Sequence, residues 1–206
     1  MESEDELACH ELLLLLAGRL PDVALWRFRD WLGEGTLGVL ARSLPKSLLR
    51  CGIGLDQREH TLLSTGLLRH GADAHQVAAT LRVGGATLPR YTFAESPSER
   101  ANVSDSVSAL LDAALRGRPD VGEVRATWRR GESPEDNTGG EKRVLLVSAV
   151  AGWPRLTGEL QRVLRVLGDD EPSIEVLPPN FDMPDYHRDA LANSRPVSVG
   201  AVGAAT

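Results

Sequence analysis

Thiols and imidazoles are the side chains most able to do chemistry here. Cys9, His10, Cys51, His60, His70 and His75 all fall in the N-terminal half. Thiolate and imidazole are the usual zinc ligands, but zinc sites draw them from closely spaced pairs. This chain has no C-x-x-C and no H-x-x-x-H, and adjacent residues such as Cys9 and His10 point about 100° apart on a helix. The expectation is therefore no metal site: a buried cysteine on a leucine face and several surface histidines. A Cys-His nucleophilic pair fares no better, because nothing near either cysteine marks a base that would lower its pKa. Gly33, Gly35 and Gly38 have the look of a phosphate loop, yet they follow a helix where the dinucleotide fingerprint must follow a strand. No catalytic residue and no cofactor are assigned on these grounds.

Two further groups invite a functional reading. Asp182, Asp185, Tyr186, His187 and Asp189 form the densest polar cluster beyond a strand end, the place where α/β units tend to bind ligands. A carboxylate beside a histidine suits acid/base work, so Asp182, Asp185, Tyr186 and His187 are the ligand candidate, weighed against a surface turn and short helix. Arg42, Lys46 and Arg50 would line one face of a continuous helix. Pro45 is expected to interrupt it, leaving a solvated surface.

The rest of the composition bounds the class. The 206 residues carry a net charge of -6, shared by both halves, which makes nucleic acid a poor bulk partner. Aromatics are scarce, and Lys46 and Lys142 are the only lysines among many arginines, a usage typical of GC-rich bacteria. The acidic start lacks the positive charge of a secretory signal, and two cysteines make no disulfide framework, so a cytoplasmic location is expected. The strongest apolar run, Leu12 to Ala17, is far shorter than the roughly 20 residues of a membrane span.

The elements that must position these residues follow from periodicity. A helix from Asp5 to Leu20, with the leucine run Leu12 to Leu16, has almost no polar face and belongs in a core or at a partner interface. Asp22 to Leu32 is a second helix with Trp26 and Trp31 beside its apolar stripe. Short pieces at Leu37 to Ser43 and Lys46 to Arg50, a helix from Asp56 to His70, and a last one from Ala74 to Leu81 complete a helical domain over residues 1–83. Residues 84–101 lose the period and gather Pro and Ser, as a linker does.

Residues 102–193 change character. A helix carries Leu110, Leu111 and Leu115 behind an Asn102 or Ser104 cap, and strands follow at Val121 to Arg129 and Arg143 to Val150. The polar stretch 131–141, with Gly139-Gly140, is a hairpin connection. Pro154 opens an amphipathic helix with Leu156, Leu160, Val163, Leu164 and Leu167, and Ser173 to Leu177 is the last strand. The order α-β-β-α-β contains a βαβ crossover that makes the last two strands parallel. Residues 194–206 read as a disordered tail. The fold class is α+β.

Arg118-Pro-Asp-Val121 before a strand ending at Trp128, the Val144-Leu-Leu-Val147 strand, the amphipathic helix and the closing Ile174-Glu-Val-Leu-Pro178 resemble the C-terminal domain of the enhanced-serine-sensitivity (SseB-like) proteins of bacteria. The resemblance covers the C-terminal part only and lies in topology and hydrophobic pattern. It implies a small non-enzymatic α/β module and has no counterpart for the helical half.

The reading is a non-enzymatic protein-interaction or adaptor module that binds another protein or itself, with Leu12, Leu16, Trp26 and Trp31 as the partner surface. The alternatives are a DNA-binding regulator using residues 55–90, whose helix-turn-helix pattern is spoiled by Gly84-Gly85 and Pro89, and a small hydrolase or transferase centred on His187.

Overall fold

The computed structural model describes residues 2–83, 90–98, 106–131 and 141–197. The chain divides into two compact units, Met1–Arg90 and Tyr91–Thr206, and its architecture is α+β: a helical unit followed by a mixed sheet with helices. Gly84-Gly85, Pro89, the Asn102 or Ser104 cap, the Gly139-Gly140 turn and residues 198–206 lie outside the described residues.

The helical unit is built around α1 (Glu4–Leu15). Ser3 opens it with a capping box: its hydroxyl accepts from the Glu6 amide, and the Glu6 carboxylate accepts from the Ser3 amide at 2.8 Å. Leu12, Leu13, Leu14 and Leu16 are buried to within 1 %. They are core, and Leu12 and Leu16 cannot be the partner surface expected of them. The buried side of α1 packs against α2 (Asp22–Gly33) and α4 (Gln57–Leu67), while Glu4, Leu7, Glu11 and Leu15 line its less buried side. The last turn of α1 has no basic residue, and Arg29 of α2, itself buried, donates to the Leu13 carbonyl there at 3.1 Å. Helix α1 stops at Leu15, short of the expected Leu20. Residues 16–20 fold as turns that still bury Leu16 and Leu20.

Where α4 meets α1, Gly66 carries no side chain because there is no room for one. A Cβ there would stand 2.5 Å from Cys9 Sγ and 3.1 Å from the Asp5 carbonyl oxygen. A short 3-10 turn (Leu68–His70) and α5 (Ala74–Thr80) finish the unit.

Pro45 does not divide its helix. α3 is continuous from Leu37 to Arg50 with Pro45 inside it and buried. An interior proline forfeits one ladder bond and costs about 3 kcal/mol. Leu40, Leu44 and Leu48, all completely buried on the same helix, each return about 1.5–3 kcal/mol of transfer free energy. Packing outweighs the break.

In the second unit the sheet order is β1-β2-β3-β4, with β5 also paired to β2. Here β1 is Tyr91–Ala94, β2 Val121–Gly131, β3 Lys142–Ala149, β4 Ser173–Leu177 and β5 Arg195–Pro196. β2 runs antiparallel to β1, β3 and β5. β3 and β4 are parallel, joined through α7 (Trp153–Val166), which is the βαβ arrangement expected. One sheet face carries Val124, Ala126, Leu145, Val147, Ile174 and Val176 against Leu111 and Leu115 of α6 (Ser106–Leu115) and Leu156, Leu160 and Leu164 of α7. The other face carries Thr127, Arg129 and Glu175 beneath α8 (Asp185–Ala192).

Two expectations are corrected. Residues 91–94, assigned to the linker, are a strand, and residues 195–196, assigned to the tail, are a strand that extends its pairing through the Val197 amide to the Val124 carbonyl at 2.8 Å. Both are too short to show a period of their own and owe their conformation to β2.

Gly66→Ala should lower stability by about 1–3 kcal/mol from overpacking, although alanine is the better helix former by roughly 1 kcal/mol. Urea unfolding followed by circular dichroism measures it. Adding Cys9→Ala should restore part of the loss, and a neutral single substitution would show that the helices separate freely.

Candidate functional site

The polar cluster at α8 is not assembled as its residue types promise. Asp182, Asp185 and Asp189 are exposed, and Asp185, with a side chain 87 % accessible, pairs with Arg188. His187 turns the other way. Its ring is completely buried, and Nε2–H donates to Glu175 Oε2, also completely buried, at 3.1 Å. Tyr186 lies edge-on to His187, Tyr91 and Phe93, and accepts a hydrogen bond from Arg129 at 3.2 Å. The Arg129 guanidinium stacks over Tyr91 at 4.7 Å. Glu175 was missed in the sequence because it alternates with Ile174 and Val176 and reads as the solvent side of a strand; α8 covers that side.

This His-Glu pair has the composition of an acid/base dyad but not its access. Neither side chain touches solvent, so no substrate reaches them. The arrangement does fix α8 to the sheet. Thr127 adds to it by donating to the Asn193 carbonyl at 2.7 Å, and Arg125 donates to Ser194 Oγ at 2.7 Å and to the Ser194 carbonyl at 2.6 Å.

Among the described residues no group of three or more His, Cys, Asp and Glu converges as a metal site. Of the N-terminal histidines, His75 is exposed, His60 and His70 are half-buried, and His10 is buried; His70 bonds Asp5 at 2.9 Å. Arg58 pairs with Glu11, and Arg19 pairs with Glu59 while donating to the Gly54 carbonyl at 2.5 Å. Charges of the α1 and α4 region are thus spent within the fold.

An open groove lies on the outer side of α2 and α3. It runs between them with a volume of about 530 Å³. Its floor is Ala24 and Phe28 from α2 and Ser43 and Ser47 from α3; its rims are Val23, Arg27 and Trp31 on one side and Arg42, Lys46 and Arg50 on the other. Each rim is an i, i+4, i+8 stripe, so its residues stand one above another along a single helix edge. Arg27, Arg42, Lys46 and Arg50 are exposed, and no Asp or Glu lines the groove. On a chain of net charge -6 this is a local reversal of sign. Trp31 is half-buried and tilts against Phe28 at 5.8 Å, while Trp26 sits beneath the Arg27 guanidinium at 5.7 Å. Of the residues expected to meet a partner, Trp31 lines the groove, Trp26 supports its rim, and Leu12 and Leu16 belong to the core.

The spacing of Arg42, Lys46 and Arg50 was the sequence signal for this surface. It was set aside because Pro45 was expected to break the helix.

Cys9 and Cys51 are unpaired. Burial, and then the negative charges of Asp5 and Glu6, push the Cys9 thiol up to about 12. In the native protein at pH 8 a thiol-disulfide reagent should therefore modify half-buried Cys51 and leave Cys9 untouched, with both reacting in urea. Mass mapping of the adducts checks it; rapid native labelling of Cys9 would show that α1 and α4 part readily.

Searched against protein-family models, curated proteins and solved structures, the chain has no match.

Proposed function

We propose that the protein is a protein-interaction or adaptor module whose helical unit receives its partner on the outer face of α2 and α3. The observation that carries this reading is the α2–α3 groove: an exposed channel with an aromatic wall and a cationic rim, with no Asp or Glu among the residues that line it. Interfaces concentrate binding energy in Trp, Tyr and Arg, and this groove offers Trp31 with three arginines and a lysine around it. The resemblance of the C-terminal part to the SseB-like domain implies a module of the same non-enzymatic kind. Free cysteines suit the bacterial cytoplasm.

The groove draws on neither alternative site. Its cations lie on α2 and α3, outside residues 55–90, and His187 is on the buried face of α8. Among the described residues no helix is long and apolar enough to cross a membrane.

Photo-crosslinking in the native host tests the proposal. A crosslinker replacing Lys46 should give a discrete, identifiable protein adduct that Arg42→Glu with Arg50→Glu abolishes. The same crosslinker at exposed His75 should not give it. Absence of the Lys46 adduct, or its indifference to the charge reversals, would count against docking through this face.

A further inference from the structure

The chemistry of the two rims narrows what the groove accepts, provided that the docking reading holds. We propose that it binds an extended acidic segment of a protein partner, with carboxylates and apolar side chains in alternation. The α3 rim is purely cationic, through Arg42, Lys46 and Arg50, whereas the α2 rim is apolar at Val23 and Trp31 with Arg27 between them. A ligand that fits both must carry negative charge along one edge and apolar groups along the other. An extended chain does this by simple alternation, since successive side chains point to opposite sides.

The spacing agrees. Residues four apart on α3 are separated by about 6 Å along its axis, and every second residue of an extended chain by about 6.8 Å. Three carboxylates in alternate positions therefore meet Arg42, Lys46 and Arg50 in turn. The floor favours an extended backbone over a helical one. Ser43 and Ser47 line it, with the Ser47 hydroxyl also within 3.5 Å of Arg50 Nη2, and such hydroxyls can pair with the free N–H and C=O groups of an extended chain, whereas a helix has already used its own.

A compact phosphate fits less well. The cations are strung over about 12 Å of helix rather than converging on one point, and phosphate recognition draws several donors onto a single group. A nucleic acid strand presents charge in a row, but the chain's net charge of -6 opposes a polyanion beyond this one groove.

The test uses the full-length protein and the fluorescein-labelled heptapeptide Glu-Leu-Glu-Leu-Glu-Leu-Glu, read by fluorescence anisotropy in 50 mM and 300 mM salt. Saturable binding is expected, weakening with salt as screening shortens the reach of the charges. Lys46→Glu should weaken it at least tenfold, the neutral Lys46→Gln by less, with circular dichroism confirming that both variants are folded. Replacing each glutamate of the peptide by glutamine should also cost at least tenfold. A peptide of the same composition with its glutamates and leucines in separate blocks should bind several-fold more weakly.

No saturable binding of the alternating peptide overturns the proposal. So does equal binding of the blocked peptide, insensitivity to Lys46→Glu, or tighter binding of a labelled oligothymidylate. The two readings fail separately: a charge-sensitive crosslink at position 46 without peptide binding leaves docking intact and removes the ligand class, whereas peptide binding without a crosslink removes the docking reading alone.

Discussion

The burial of one leucine run dictates the arrangement of the N-terminal unit. Because Leu12, Leu13, Leu14 and Leu16 must leave water, α2 and α4 pack against α1, and the neighbouring helices turn their apolar stripes toward the interior. α2 sends Leu25, Phe28 and Leu32 inward, and α3 sends Leu40, Leu44 and Leu48. What remains outside is fixed by the same geometry. On a helix of 3.6 residues per turn, positions two beyond Leu40, Leu44 and Leu48 lie on the opposite side, and on α3 these are the exposed Arg42, Lys46 and Arg50. The cationic rim is thus a consequence of how the core is satisfied, held in line by a helix that packing keeps whole across a proline.

Much of this was legible in the sequence, and the failures have definite causes. Periodicity located most helices of both units, the strands at Val121 and Val144, and the parallel pair created by α7, because each spans enough residues to display a period, whereas α8 falls outside the expected α-β-β-α-β order. Pro45 was misjudged because local rules price a broken ladder bond but cannot see buried leucines on either side of it. Tyr91–Ala94 and Arg195–Pro196 were missed because such short strands exist only through their partner. Leu12 and Leu16 were read as partner surface because an apolar helix looks the same from the sequence whether a core or another protein covers it.

The C-terminal unit shows a polar group can be misread in the opposite direction. His187 and its acidic neighbours appeared to form a site because they are close along the chain, yet the helix directs the histidine inward and the aspartates outward. The histidine's real partner, Glu175, lies on a strand and comes into contact only when α8 closes over the sheet. Removing Glu175 would leave the completely buried His187 ring without this hydrogen bond, which costs more than losing a surface contact. Such a pair specifies where α8 sits rather than adding much net stability.

The attachment of the last described residues has a practical side. Thr127 and Arg125 of β2 hydrogen-bond to the Asn193 carbonyl and to Ser194, beside their contacts with the Ala94 carbonyl and Glu123, and the Val124 carbonyl accepts from the amide of Val197. Trimming the chain back past these positions, by a protease or by a cloning decision, would strip acceptors and donors from interior strand residues while deleting almost no hydrophobic mass. A shortened form would keep its oily centre yet lose the latch that holds its sheet edge shut.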